Sequence, residues 1–562
     1  MATIIKKIKN RRPYYYAVQS GRVNGKPRII WQKYLGTIDD IIKRASESPS
    51  NKVKAVDIFE AGGVAAMLRI IQRIRLIEII DEIIPKRNQG ASMGQYLAIA
   101  IINRILAPCS KLKMPDWYRG TILMKLWKYP ADTFNSQRFW DHMDFITEDH
   151  IQEIQTKIAL EVKREFSINP ELLLYDTSNF FTYIATGNKR NTIAQRGRSK
   201  KKRNDLRQVG LALLVTKDFQ IPLFHQVYQG NTPDRGLFPK IAREIQEHHD
   251  KILGGTSDST IVFDKGNIGQ DAMERLIVHG PDFVCAIPKN TAMDAPVFAT
   301  SLEQMKQVPG FPGTRAYSCF VDLWGKKLKA VLAYSESFFA SQLTELTEHL
   351  QKCEKKLHDF DLAIAKKIKS KKSRSLQTLQ RAAQAIVNQE KVKDFIEIVI
   401  KKQEGVFRLT YKINQNKLNE AMKSDLGRTL IISSRVKWSE KEIISAYRGQ
   451  NSIEEIFKRM NNKDYLHWQP AFHWTDQKVQ VHGLYCVLAQ LVVALCHKVV
   501  SEKEIDISAL EMLSELSDIR EVALFDTEQV DKRRKGCFAI SRMSPIQKRL
   551  AEATEISLVL GQ

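Results

Sequence analysis

Two short apolar runs in this sequence each end in a carboxylate: Leu172-Leu173-Leu174-Tyr175-Asp176 and Thr260-Ile261-Val262-Phe263-Asp264. Runs this short, bounded by polar residues, have the length of buried strands rather than helices. Two more strand-like runs, 209–215 and 221–228, lie between them, separated by a turn at Lys217-Asp218. Residues 237–248 and 272–278 read as helices, and 283–287 as a further strand. Strands interleaved with helices in this way predict an open α/β sheet with helices on its faces. Ligands collect at strand ends in such sheets, so Asp176 and Asp264 are the first candidate site residues.

The flanking segments have a different texture. Residues 13–36 read as a small β unit, with Tyr14, Tyr15, Tyr16 and Val18 before Asn24-Gly25, and Ile29, Ile30 and Trp31 after it. Asn-Gly suits a tight hairpin turn because both residues tolerate positive φ. Arg11, Arg12, Arg22, Lys26, Arg28 and Lys33 surround the turn, which makes the unit either a basic ribbon lying along a polyanion or a half-buried hairpin with a solvated face. Residues 56–166 show helical spacing of Val64, Met67, Leu68, Ile71, Ile74, Leu76 and Ile79, then apolar helices at 96–106 and 147–166. Further on, 315–322 and 327–334 read as a hairpin around Trp324-Gly325, followed by a lysine-rich helical stretch at 340–400 and a strand at 407–413. Leu430-Ile431-Ile432 reads as a last core strand, and Ser439 with Glu442 as a capping box that opens a helix running to Met460.

Charge narrows the partner. Lysine and arginine number 87 against 63 aspartates and glutamates, a net charge of +24. Such an excess favours a polyanion, because each neutralised phosphate releases counterions. A membrane surface would need an anchor or a basic amphipathic segment. The apolar run 483–496 is shorter than a comfortable span and contains Gln490, so it reads as a buried helix and no membrane is expected. Seven cysteines, scattered and without a CxxC pair, predict reduced thiols and a cytoplasmic, nucleoid-associated setting.

Two-metal phosphoryl transfer needs carboxylates that hold divalent ions on either side of the reacting phosphorus. A third ligand beside Asp176 and Asp264 is offered by the helix after Ser439, where Tyr447, Gln450, Glu454 and Asn461 share one face by spacing. Glu455 points about 100° away from that face. This face would bring Glu454 to the metals, with Tyr447 and Gln450 beside a phosphate.

These residues resemble the C-terminal signature of bacterial insertion-sequence transposases of the DDE class: Tyr, two residues, Arg, three residues, Glu, six residues, Lys. Here the spacing is kept by Tyr447, Gln450, Glu454 and Asn461, with Gln450 and Asn461 standing where the family has Arg and Lys. Arg448, Lys458 or Lys463 is the substitute expected for the phosphate grip. Tyr14 to Gly36, ending Lys33-Tyr34-Leu35-Gly36, and Phe263-Asp264-Lys265-Gly266-Asn267 are similar to one branch of the same family. The resemblance implies an RNase H-like core interrupted by a β-rich and helical insertion. It implies catalysis and metal binding by Asp176, Asp264 and Glu454 with two Mg²⁺ ions, for which Mn²⁺ can stand in. The implied reaction is hydrolytic nicking at element ends, followed by attack of the freed 3′-hydroxyl on target DNA by a homodimer on paired ends. On this basis the chain divides into a small basic β unit (1–50), a helical end-binding or dimerising domain (51–168), a first core part (169–289), an insertion (290–427), a second core part (428–500) and a helical C-terminal region (501–562).

Other residues carry weaker expectations. The run 196–207 contains Arg198, Lys200, Lys201, Lys202 and Arg203 and is expected to touch the DNA backbone. The lysines at 366–374 are as readily a solvated face. Trp324 is either a ring that stacks on a flipped base, as an insertion aromatic does in some relatives, or an ordinary hairpin tryptophan. Asp234 reads as a loop or cap residue, and Asp258 as a weaker alternative to Asp264. His467, His473, His482 and His497, with Cys486 and Cys496, match no zinc spacing and are expected to be structural. A captured DNA-binding protein and an RNase H-like nuclease that cuts without joining remain as alternatives.

Overall fold

The computed structural model describes residues 2–9, 12–23, 26–46, 55–85, 89–168, 170–197, 203–233, 259–267, 269–287, 297, 300–365, 375–403, 406–469, 471–525 and 537–561. The fold is mixed α/β with several sheets. It divides into two units, Met1–Ser259 with Gly449–Gln562, and Thr260–Arg448.

The first unit opens with an antiparallel sheet of β1 (Ala2–Lys9), β2 (Arg12–Val23) and β3 (Lys26–Gly36). The sequence reading had no strand at 2–9, where lysines interrupt the isoleucine alternation. The expected Asn24-Gly25 turn lies outside the described residues, although Val23 and Lys26 on either side of it are paired. After β4 (Ala55–Glu60), helices fill the expected helical region, among them Gly62–Arg73, Met93–Leu106 and Glu148–Glu165. Met93–Leu106 starts with a capping box in which Ser92 and Gln95 satisfy each other's backbone N–H.

β5 (Leu172–Phe181), β6 (Gln208–Thr216) and β7 (Pro222–Gln229) form an antiparallel meander. β6 is buried at every position, as its near-continuous apolar sequence requires for a strand covered on both faces. The helix Asp476–Ser501 packs on β7 and on helix Met93–Leu106. Among the described residues it is the one helix long and apolar enough to cross a membrane, and its apolar window is 94% buried in the protein core.

The second unit carries β8 (Thr260–Phe263), parallel to β9 (Asp282–Ala286), with helix Gln270–His279 between them in sequence. β10 (Lys306–Gln307), β11 (Thr314–Leu323) and β12 (Lys326–Ser335) form an antiparallel run. Helices Glu336–Ala365 and Leu376–Gln389 and the hairpin β13 (Ile396–Gln403)–β14 (Val406–Ile413) share a core of Leu350, Cys353, Leu357, Leu379, Val387 and Ile400. β15 (Arg428–Ser433) pairs with β12 on one side and β9 on the other. The hairpin at 314–335, assigned from sequence to the insertion, thus extends the sheet of β8, β9 and β15. The segment with its own core begins at Glu336.

In the C-terminal part of the first unit, β16 (Arg520–Phe525) pairs with β17 (Cys537–Ile540) and with β4. The region 501–562 is therefore not wholly helical as expected. Of its two partners, β4 lies more than 400 residues away in sequence, a distance at which local periodicity carries no signal.

Candidate active site

Asp176 does not end its strand. β5 continues through Thr177, Ser178, Asn179 and Phe180 to Phe181, and Asp176 pairs with Leu213 of β6. Beyond Asp176 three polar residues precede two phenylalanines, and the strand is half-buried there, with Asn179 exposed and Phe180 buried. Asp176 is half-buried at mid-strand.

The expected single helix from Ser439 to Met460 is two helices, Glu440–Gly449 and Asn451–Arg459. The capping box at its start is present: Ser439 N–H donates to Glu442 at 2.7 Å, and Glu442 N–H donates to Ser439 Oγ at 3.2 Å. The break falls at Gly449-Gln450, where the Ser452 hydroxyl donates to the Gly449 carbonyl at 2.7 Å. Tyr447 and Arg448 consequently belong to the second unit, and Gln450 and Glu454 to the first. They do not line one uninterrupted helix face.

Within the first unit, the Gln450 side-chain N–H donates to the Tyr175 carbonyl at 3.1 Å. This bond ties the start of helix Asn451–Arg459 to the residue before Asp176. Ile453, Ile456 and Phe457 bury the inner face of the helix, with the Phe457 ring centroid 6.3 Å from that of Phe180 on β5. Glu454 lies in the first turn and is exposed, a position where the helix dipole favours a negative charge. Gln450 is itself buried and spends its amide on the backbone.

Within the second unit, Asp264 follows directly on β8, at the carboxyl end of the parallel pair. The Tyr447 hydroxyl donates to Asp264 Oδ1 at 3.2 Å. Burial, then the Asp264 charge, raise the Tyr447 phenol well above its ordinary range, so it stays a donor. Burial likewise raises the neighbouring Cys285 thiol, with the Asp264 charge adding to the effect. Arg448 donates to Thr314 Oγ1 at 2.8 Å and lies over the Phe311 ring at 4.7 Å.

Lys458 is exposed and paired with Glu455 at 2.6 Å. Arg203 is exposed and makes a two-pronged pair with Asp205 at 2.8 Å on each arm. Trp324 and Gly325 form the β11–β12 turn with φ of 51° and 75°, and the Trp324 ring is half-buried. Arg198, Lys200, Lys201, Lys202, Asp234, Asp258, the 237–248 helix and the 366–374 lysines lie outside the described residues. Asn461 donates to the Phe457 carbonyl at 2.7 Å. Among the described residues, no three His, Cys, Asp or Glu side chains are gathered so as to hold a metal ion.

The histidines are tied into the first unit's core. His482 Nε2 meets the Trp468 carbonyl at 2.8 Å, and its Nδ1 meets His473 Nε2 at 2.8 Å and the Tyr485 hydroxyl at 2.5 Å. Sequence reasoning passed over the anchor of this region, Arg104, which is buried and donates to the His467 and Gln469 carbonyls at 2.7 Å each. Its one visible signal is an arginine among the isoleucines of an apolar helix.

No family model and no curated protein matches this sequence. Among solved structures, a piggyBac transposase synaptic complex with hairpin DNA is similar over 80% of this chain and 79% of that chain, at 9% identity and a TM-score of 0.36. That likeness is too loose to bear on the site.

Proposed function

We propose that this chain is a DNA transposase of the DDE class, with an RNase H-like core and Asp176, Asp264 and Glu454 as its catalytic carboxylates. The observation that carries the reading is the Gln450–Tyr175 bond, which fastens the helix of Glu454 to the strand of Asp176. The antiparallel meander β5–β6–β7 and the parallel pair β8–β9 are, each by itself, the pieces such a core requires. The net charge of +24 suits a double-stranded DNA substrate.

Mg²⁺ is the proposed cofactor, as two ions, with Mn²⁺ able to replace it. Magnesium takes a few carboxylates and completes its shell with water and phosphate oxygens, which is the donor chemistry of these three residues. When bound, the ions would activate the attacking oxygen and stabilise the leaving one. The Tyr447 hydroxyl, donating to Asp264 Oδ1, would keep that carboxylate oriented. In the first step, water oxygen bonds to phosphorus at an element end, the P–O3′ bond breaks, and a 3′-hydroxyl is left. In the second, that hydroxyl oxygen bonds to a target phosphorus and the target's own 3′ oxygen departs. A homodimer on paired ends would carry out both steps.

A cleavage and strand-transfer assay tests this, using DNA flanking the gene with Mg²⁺ or Mn²⁺. Wild type is expected to nick at discrete ends and join them to a target. Asp176→Asn, Asp264→Asn and Glu454→Gln should still bind DNA but lose roughly 10²- to 10³-fold or more in both steps. Variants that cut like wild type would show the triad to be misplaced. Binding without cutting by the wild type would favour a captured DNA-binding protein, and cutting without joining a nuclease.

A further inference from the structure

The first unit presents three large rings to solvent at one place in its fold. Tyr183 is 56% exposed, Phe472 55% and Trp474 66%. The Tyr183 and Phe472 ring centroids are 5.6 Å apart. Residues 471–474 run without helical or strand structure, and His473 turns inward to His482 at 2.8 Å. Its neighbours Phe472 and Trp474 are exposed on either side of it.

Hydrogen bonds to residues 183–193 hold the backbone of the ring-bearing segment. Asn188 Nδ2 donates to the Trp474 carbonyl at 2.9 Å, and Asn191 Nδ2 to the His473 carbonyl at 3.3 Å. Tyr183 N–H donates to the Ala471 carbonyl at 3.2 Å. Asp476 accepts from the Thr192 and Ile193 N–H groups at 2.7 and 2.9 Å. Arg207 reaches back to the Thr186 and Asn188 carbonyls at 2.8 and 3.1 Å. A braced surface that still leaves three rings in water forgoes the burial such side chains ordinarily seek.

The segment between β5 and β6 that braces this backbone is basic. Its Lys189, Arg190, Arg196 and Arg203 are all exposed, Arg203 beside Asp205. Arg203 lies close enough to Tyr183 to feel its phenol, after the larger influence of Asp205. Cationic side chains beside sequence-tolerant π surfaces are how proteins hold unpaired nucleic acid strands, and a rigid platform avoids the ordering cost of binding.

We propose that Tyr183, Phe472 and Trp474 form a stacking platform for the unpaired bases of single-stranded DNA, with Arg196 and Arg203 taking its phosphates. The choice of DNA rests on the transposase reading; the geometry of the platform does not. Under that reading it would hold the strand freed or frayed at an element end.

The test is fluorescence anisotropy of a labelled oligothymidylate with the full chain, in EDTA so that no cutting can occur. A matched abasic strand separates base stacking from phosphate binding. Tyr183→Ala, Phe472→Ala and Trp474→Ala should each weaken oligothymidylate binding by roughly 5- to 150-fold and leave abasic binding unchanged. Phe145→Ala, which removes an exposed ring elsewhere in the same unit (67% exposed), should change neither. Arg196→Gln and Arg203→Gln should weaken both strands and reduce the salt dependence. Unchanged oligothymidylate affinity in all three ring variants would overturn the proposal. So would equal losses on the abasic strand, or ring variants that alter only self-association by sedimentation, which would make the rings a protein interface. Because the readout needs no metal and no cleavage, a failed cleavage assay and a failed platform are told apart.

Discussion

Lys111 is the side chain most at odds with its surroundings. Its Nζ is buried and has no hydrogen-bond partner among the described residues, lying over the Tyr485 ring at 4.3 Å and the Phe139 ring at 4.7 Å. Burial, then the positive charge of Arg104, push its pKa down from 10.5 to about 7. The sign follows from proton counting: between pH 7 and 10.5 the unfolded chain holds the proton and the folded chain releases it, so stability rises with pH across that window. The buried thiol of Cys486, raised by burial from 9.0 to about 11, acts the other way above pH 9. In urea unfolding, wild type should therefore gain roughly 2 kcal/mol relative to Lys111→Met between pH 7 and 9. An unchanged slope in that variant would mean that Lys111 does not titrate in the fold. On the acid side, burial pulls His473 down from 6.5 to about 3 and His482 well below 6.5. Their contribution is present above pH 6.5 and is lost as the pH falls below it.

Helix Asp476–Ser501 illustrates how an element is placed by one residue. A Cβ at Gly483 would come within 2.4 Å of Val227 Cγ2 on β7, so only glycine lets the helix sit this close to the strand. Gly483→Ala should gain helix propensity yet destabilise the protein by about 1–3 kcal/mol through overpacking. Val227→Ala in the same chain should return most of that loss, as read by thermal or urea unfolding. No recovery in the double variant would place the strain elsewhere. At this scale, much was legible from local sequence. The 483–496 run is a buried helix, Ser439 and Glu442 form their capping box, Trp324-Gly325 turns its hairpin, and Asp264 directly follows β8. What escaped depends on context. Thr177–Phe181 joins β5 because β6 offers a partner, β4 and β16 meet across most of the chain, and the break at Gly449-Gln450 occurs where glycine could equally have been tolerated in a helix.

At the scale of the whole molecule, the long segment between β12 and β15 is an excursion whose ends meet. Tyr334 pairs with Arg428, and Ser335 N–H donates to the Gly427 carbonyl at 2.9 Å. The segment leaves from the end of β12 and returns at the start of the neighbouring β15, and its described residues pack largely around a core of their own. A two-residue Asn-Gly turn has the geometry to join two such antiparallel strands. Replacing 336–426 with that turn should leave the remaining chain folded, with loss of the contacts that the Gln342 side chain and the Phe339 ring make near the junction, at Gly427 and Tyr334. Circular dichroism melts and limited proteolysis would check this, with the excised segment expressed separately and expected to keep its helices and the β13–β14 hairpin. Trp324 lies in the β11–β12 turn and survives the deletion, so stacking by that ring would persist while any DNA contact made by 336–426 would vanish. A shortened chain that fails to fold would show that the excursion completes the sheet unit, despite the closeness of its ends.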